Sequence, residues 1–373
     1  MSAGPGILIA STSAGTGHVH AAEAVRAALL ERDPHARVEH VDVLRLAPSW
    51  VRALYSGGFE LVASRAPWLW RELYQRTNGA HDVARWGAAA RHLLFRAFQD
   101  VLSRGDWSAV LCTHFLPCQL AAGEPGAPPF ALVVTDFTLH RYWVQPQVKR
   151  YFTATRALAD DVRRRVRGVR ADATGIPVNP FFLRALPRAA ARVSLDLDPE
   201  RPVALVMGGG MGVGVVESAL GVLSADVPGL QVVAVTGHNE RARARLSEQG
   251  LPPGRLRVFG QVDRVPDFMA AADVVVTKPG GLTISEALAL GRPLLLTRGI
   301  PGHEDGNVRA LVDTGAAEYA PHAGTLQRAV RRIFNSPRTL DTLAERARAV
   351  GQPHAARSIA GALRREFVLD LVA

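Results

Sequence analysis

Apolar and polar positions along this chain fall into two alternating patterns. Short unbroken apolar runs recur at Gly6–Ser11, Ala109–Cys112, Phe130–Thr135, Val203–Met207, Gln231–Thr236, Val274–Thr277 and Pro293–Thr297. They are too short for helices and rich in β-branched residues, as strands buried on both faces of a parallel sheet must be. Between them the apolar positions take helical spacing, as at Ala21, Ala24, Val25, Ala28 and Leu29. Further strands are read at Ala36–Val41, Tyr151–Ala154 and Arg257–Gly260, and a helical turn at Asp267–Ala272. Helices are read at Asp160–Arg170, Val215–Leu223, Thr283–Leu290, Thr325–Ala349 and Ala355–Leu371. The alternation predicts an α/β fold. A Gly/Pro-rich break at residues 174–180 and a polar, proline-punctuated stretch at Pro187–Arg201 divide the chain into 1–185 and 186–350. Residues 351–373 form a last helix that crosses back to the first domain. Each half opens with a strand and a glycine loop, so the expected architecture is two Rossmann-like domains facing across a cleft.

The chemistry gathers after the strands. Val274–Thr277 runs into the turn Pro279-Gly280-Gly281, then a helix, then a second strand, and the acidic turn Gly302-His303-Glu304-Asp305-Gly306-Asn307. A glycine turn leading into a helix N-terminus offers bare backbone N–H groups and a positive dipole end, where a phosphate would sit. Glu286, just inside that helix, is placed for a ribose diol, and the acidic turn for sugar hydroxyls. The Gly208–Gly214 cluster (GGGMGVG) offers a second diphosphate approach and lacks the Gly-Lys-Ser/Thr of a Walker motif. Together these read as a nucleotide-sugar site. In the first half, Gly15-Thr16-Gly17-His18 follows the first strand without the third glycine of a dinucleotide fingerprint. Asp136 and His140, in the segment TDFTLHRYW, lie just past another strand's carboxyl end.

Composition narrows the partners. The chain has 373 residues, 48% of them hydrophobic, enough for two cores, and a formal charge of +10 that favours an anionic partner. It carries no zinc-finger spacing or RNP-like aromatic motif, so no nucleic-acid partner is expected. Cys112 and Cys118, the two cysteines, read as structural. No apolar run reaches the roughly 18–20 residues of a membrane span, and no signal segment is read at the N-terminus. The expected location is the cytoplasm or the cytoplasmic face of a membrane. From Pro48 to Trp107, five of the six tryptophans interleave with arginines on helical segments. That is the composition of a surface docking on an anionic membrane.

Over nearly its whole length the chain resembles GT-B glycosyltransferases of glycosyltransferase family 28. Within them it is similar to the branch of monogalactosyldiacylglycerol synthases and processive diacylglycerol glucosyltransferases. The residues that carry the resemblance are the Ala14–His18 loop with Ala22-Glu23-Ala24, VTDFTLHRYW, ATGIPVNPFF from Ala173 to Phe182, GGGMGVG, and TKPGGLTISEAL with GHEDGN between Thr277 and Asn307. The resemblance implies a peripheral enzyme at the cytoplasmic face of the cell membrane. It would transfer a hexose from a UDP-sugar to diacylglycerol with inversion, taking the UDP-sugar as substrate and needing no cofactor. It implies that Gly209, Gly210 and Met211, with Lys278, Gly280, Gly281, Leu282 and Thr283, approach the donor diphosphate. Gln261 and Val262 would meet the uracil, near Gly237, His238 and Asn239. Glu286 would hold the ribose, and Glu304, Asp305 and Asn307 the sugar. His18 is the first candidate for the base and Asp136 the second, with Gly17 and His140 as acceptor or orienting residues. No metal is expected. The competing readings are an N-acetylglucosaminyl transferase acting on a lipid-linked acceptor, a UDP-sugar 2-epimerase, and a non-catalytic UDP-sugar sensor on membranes.

Overall fold

A computed structural model of the chain describes residues 6–53, 55, 93–122, 126–252, 254–300, 302 and 304–368. The chain divides into two compact units. Unit 1 comprises Met1–Pro180, Ile300–His303 and His354–Ala373; unit 2 comprises Phe181–Gly299 and Glu304–Pro353.

In unit 1 the strands are β1 (Gly6–Ser11), β2 (Val38–Asp42), β3 (Trp107–Cys112), β4 (Phe130–Val133), β5 (Val148–Thr153) and β6 (Arg170–Ala173). They form a six-stranded parallel sheet in the order β2-β1-β3-β4-β5-β6. Every residue of β1, β3 and β4 is buried, whereas β2 and β6 at the edges are partly open. The described helices are α1 (Thr16–Arg32), α2 (Val43–Leu46), α3 (Ser49–Arg52), α4 (Arg96–Arg104), α5 (Phe115–Leu120) and α6 (Arg156–Arg165). Because side chains alternate along a strand, Leu8 and Ala10 enter one core and Ile7 and Ile9 the other. The second core is closed by Val25 and Leu29 of α1 and by Ile359 and Leu363 of the C-terminal helix. Arg357 grips Glu31 through two hydrogen bonds of 3.0 and 2.9 Å on the same side.

Unit 2 repeats the plan with β7 (Val203–Met207), β8 (Gln231–Val235), β9 (Leu256–Phe259), β10 (Val274–Thr277), β11 (Leu294–Leu296) and β12 (Ala317–Tyr319). Its parallel order is β12-β11-β10-β7-β8-β9, the doubly wound order in which the chain reverses direction across the sheet between β7 and β10. Its helices are α7 (Arg188–Ser194), α8 (Val215–Leu223), α9 (Glu240–Ser247), α10 (Val265–Ala271), α11 (Gly281–Ala289), α12 (Asp305–Val312), α13 (Ala323–Phe334) and α14 (Pro337–Val350). The last helix of the chain, α15 (Ala355–Leu363), is the one that packs in unit 1.

Several elements differ from the sequence reading, each for a local reason. The helix expected at Thr325–Ala349 is two, α13 and α14, because Ser336 caps the Thr339 amide and Pro337, lacking an N–H, starts a new helix. The basic helix runs Arg156–Arg165 under a Thr155 cap, ends before Gly168 (φ +71°), and gives way to edge strand β6 at Arg170. The polar stretch after Pro187 contains α7, which Arg192 ties into unit 2 through Ala271 O (2.9 Å) and Asp273 (2.8 Å). The acidic turn is in part helical, with Asp305–Asn307 forming the first turn of α12. Of the aromatic–arginine stretch, residues 54 and 56–92 lie outside the described residues. At its described ends Phe95, Phe98 and Trp107 are core residues and Trp50 is exposed.

Candidate active site

Ligands of open α/β sheets bind beyond the carboxyl ends of strands, where strand order reverses. In unit 1 that point lies between β1 and β3. Chain leaving β1 is tethered by a hydrogen bond from the Ser13 amide to Asp42 Oδ1 (3.1 Å) and enters α1 at Thr16. His18 therefore sits in the first turn of α1, directly after Gly17, beside the end of β3. Its Nδ1 lies 3.1 Å from the carbonyl oxygen of Thr113 and 2.9 Å from Thr135 Oγ1. Thr113 Oγ1 in turn donates to the His18 carbonyl (2.8 Å). A carbonyl oxygen can only accept, so Nδ1 carries the imidazole proton and Nε2 carries the lone pair.

Two more histidines share this edge in the opposite tautomer. His114 caps α5, its Nδ1 accepting from the Leu116 amide (3.1 Å), and His140 caps the 3-10 turn Arg141–Trp143, its Nδ1 accepting from the Tyr142 amide (3.2 Å). Each therefore carries its proton on Nε2. The His114 ring meets the His18 ring edge to face at 4.7 Å and Phe115 at 4.0 Å, and Trp143 stands 6.2 Å from His18. Asp136 follows Thr135 and is buried, as is His140. Sequence reasoning singled out His18, Asp136 and His140 but missed Thr113, His114 and Thr135. The available signal was position: Thr113 and His114 follow β3 directly, and Thr135 lies just past β4 and immediately before Asp136. Cys112 and Cys118 are buried free thiols, and burial pushes the Cys112 thiol well up.

In unit 2 the reversal point lies between β7 and β10, and both strands end in glycine turns there. After β7, Gly208 and Gly212 leave no room for side chains. A Cβ on Gly212 would come within 2.2 Å of the Thr236 carbonyl oxygen, and one on Gly208 within 2.3 Å of the Gly212 carbonyl carbon. The same packing binds the turn after β8. The His238 amide donates to the Gly210 carbonyl (2.9 Å), and a Cβ on Gly237 would come within 2.3 Å of Gly210 O. Gly209 and Gly210 are partly open and Met211 is exposed. Asn239 spends its side-chain oxygen capping α9 at the Ala242 amide (2.9 Å). His238 and Gln261 are exposed and Val262 half-buried at the ends of β8 and β9.

After β10, Gly280 is the N-cap of α11 and provides no side-chain cap, and Gly281, Leu282 and Thr283 form the first turn. Lys278 points back over this loop. Its Nζ is 2.5 Å from Glu304 Oε1, and a Cβ on Gly280 would sit 3.2 Å from that same Nζ. Glu304 is buried, and fully buried Asn307 donates from Nδ2 to the Pro279 carbonyl (3.0 Å). Asn307 thus holds the Pro-Gly-Gly turn in shape, while half-buried Asp305 sits beside it at the start of α12. Glu286 follows one turn inside α11, and burial pushes its carboxyl up to about 8.

Comparison with known proteins agrees with this division. The protein has the GT-B fold. It superposes on Acinetobacter baumannii MurG with a TM-score of 0.61 at 14% identity, covering 97% of this chain and 99% of that one. An S. aureus MnaA–UDP structure gives 0.65 at 14%, covering 98% and 97%. Residues 18–178 match the family model for monogalactosyldiacylglycerol (MGDG) synthase, and residues 203–360 that for the glycosyltransferase family 28 C-terminal domain. The chain thus carries a domain matching each of these two family models. It is 35% identical over 193 residues to a processive diacylglycerol beta-glucosyltransferase of Bacillus subtilis, covering 50% of this chain and 49% of that protein. It is 27% identical over 373 residues to a probable chloroplastic monogalactosyldiacylglycerol synthase 3 of Oryza sativa subsp. japonica, covering 94% and 72%. The chain spans about half the length of the first curated relatives it matches.

Proposed function

We propose that this protein transfers a hexose from a UDP-sugar to the hydroxyl of diacylglycerol, with inversion at the anomeric carbon and without a metal ion. The observation that carries the reading is the tautomer of His18. Its Nδ1 is held by the Thr113 carbonyl and Thr135, so Nε2 presents a lone pair to an acceptor hydroxyl. His114 and His140, with their protons on Nε2, serve instead as hydrogen-bond donors. Asp136 is the second catalytic candidate, a buried acidic residue directly after Thr135, whose hydroxyl meets His18. Support for the acceptor comes from relatives named as diacylglycerol glucosyltransferases and monogalactosyldiacylglycerol synthases.

Departing UDP gains negative charge on its diphosphate. In unit 2 the amides of Gly209, Gly210 and Met211 and the uncapped first turn of α11 supply donors and a helix dipole for that charge. Glu286 holds the ribose diol and Gln261 with Val262 the uracil. Lys278, paired with Glu304, brings a cation to the same turn. The protein works at the cytoplasmic face of the membrane as a peripheral enzyme, the 48–107 stretch docking on anionic lipid. Among the described residues no helix is long and apolar enough to cross a membrane.

The test is a mass-spectrometric transfer assay on liposomes containing diacylglycerol, with UDP-glucose, UDP-galactose, UDP-glucuronate and UDP-N-acetylglucosamine in separate tubes. A glycosyl-diacylglycerol in one tube is the expected result and names the donor. Release of UDP without that lipid product overturns the acceptor, and interconversion of free UDP-sugars identifies an epimerase. UDP-sugar binding with no turnover in any tube overturns catalysis altogether. EDTA is expected to leave the rate unchanged, and an EDTA-sensitive rate overturns the metal-free mechanism.

A further inference from the structure

Away from the donor loops, unit 2 gathers four guanidinium groups. Arg188 and Arg192 lie on α7, Arg292 directly precedes β11, and Arg348 lies near the end of α14. Gly291 (φ +63°) allows the approach, since a Cβ there would come within 2.3 Å of Arg348 Cγ. The Arg348 stem therefore lies across the residue next to Arg292. Of the carboxylates nearby, Asp341 acts on Arg188 from α14, and Asp273 is already committed. Asp273 receives Arg192 Nη2 (2.8 Å) and the Val203 amide (2.7 Å) on Oδ2, and Arg188 on Oδ1. Arg192 completes its set with the carbonyls of Ala271 (2.9 Å) and Pro199 (2.6 Å).

Arg292 has no such set. Among the described residues its Nε is buried without a hydrogen-bond partner. Burial, then the facing charges of Arg188 and Arg348, lower its pKa to about 10. A mostly buried guanidinium facing two like charges is unfavourable unless something anionic answers it. We propose that Arg292, Arg348 and Arg188 bind a phosphate group, free or on a lipid headgroup, at the amino edge of the unit 2 sheet. A tetrahedral phosphate offers enough oxygens for several planar forks at once, which a single carboxylate does not. The site is distinct from the donor loops. Asp273, Val203 and Arg292 stand at the starts of β10, β7 and β11, whereas the glycine turns stand at the ends of β7 and β10, about 13 Å away along a four-residue strand.

The experiment is a thermal-shift and calorimetric titration of the full chain with inorganic phosphate, with UDP saturating so that the glycine turns are occupied. Wild type is expected to gain about 2 °C or more at millimolar phosphate, and chloride at matched ionic strength to give no such gain. Arg292→Met should fold, be at least as stable without phosphate, and lose the response. Arg348→Ala, at an exposed position, should weaken phosphate about tenfold and settles the matter should Arg292→Met fail to fold. No response in wild type, or an equal response in the arginine variants, overturns the site. Sedimentation with phosphatidylcholine vesicles, with and without phosphatidate, identifies the source. Phosphatidate-dependent binding that Arg292→Met and Arg348→Ala abolish assigns a lipid phosphate; a response to soluble phosphate alone assigns a free one.

Discussion

At the reversal point of unit 1 the groups that converge are side chains: His18, Thr135, His114 and Trp143. At the reversal point of unit 2 they are mostly backbone: the glycine turns after β7 and β10 and the uncapped start of α11. The two sheets are built alike, six parallel strands each, so the difference lies in what each must recognise. A proton transfer needs one atom of defined basicity at one place, which only a side chain held by specific partners supplies. A diphosphate needs several donors at close range, which glycine backbone supplies because no Cβ stands in the way. Unit 1 should therefore be sensitive to the identity of its side chains, and unit 2 to any gain of bulk.

The largest effect is expected at His18. His18→Ala should lower kcat about 10³-fold while UDP binding, measured by calorimetry, stays within about twofold of wild type. A near-normal rate would remove His18 as the base. Asp136→Asn should likewise lower kcat steeply with UDP binding intact, and a wild-type rate would remove Asp136 as the second catalytic candidate.

Unit 2 is tested by adding one methyl group at two glycines with similar φ. Gly212→Ala forces a Cβ to within 2.2 Å of the Thr236 carbonyl at φ +60°, whereas Gly214→Ala at φ +69° meets nothing within 4 Å. The first should cost about 3 kcal/mol or more and weaken UDP at least tenfold, and the second about 1 kcal/mol with UDP little changed. Equal effects would mean that backbone conformation, rather than close packing of the two turns, governs the donor loop.

These contrasts bear on how much was readable in advance. The buried strands and the glycine turns after them were legible because apolar runs and glycine spacing are local properties. Edge strand β6 was not, since Arg170-Ala171-Asp172-Ala173 buries little and has no apolar run to announce it. Pro337 was visible as a helix starter yet was passed over inside a long amphipathic pattern. The partners of His18 stand 95 and 117 residues away, so no spacing rule reaches them. The orphan state of Arg292 likewise needs the fold, because it depends on what Asp273 has already bound.

A smaller effect is expected at Glu286, and its sign follows from linkage. Burial raises the carboxyl from 4.5 to about 8, so the folded protein keeps a proton that the unfolded chain releases first. The full stability is present below pH 4.5 and falls as pH rises to about 8. Glu286→Gln should remove this slope, making the variant's melting temperature exceed wild type increasingly from pH 5 to 8. Because the carboxyl is only partly screened from water, the gain at pH 8 should be on the order of 2 kcal/mol. UDP should bind wild type more tightly toward pH 8, as the carboxylate proposed to hold the ribose diol forms, and this pH dependence should vanish in the variant. A parallel slope in both proteins would separate Glu286 from the donor.

The subtlest effect belongs to Thr135, which touches His18, the proposed base. Its hydroxyl lies 2.9 Å from His18 Nδ1, beside the Thr113 carbonyl that already fixes the tautomer. Thr135→Val keeps the volume and removes that oxygen, so the ring keeps its proton on Nδ1 but loses part of the support for its charged form. The expected result is a fall in kcat of about tenfold with KM for the UDP-sugar unchanged. The acid limb of the pH–rate profile should move to lower pH, because a less supported imidazolium loses its proton more readily. Thr135→Ser, which restores the oxygen, should recover both the rate and the limb. A rate loss with an unmoved limb would mean that Thr135 only packs against the ring, and unit 1 would then depend on shape in the way unit 2 does.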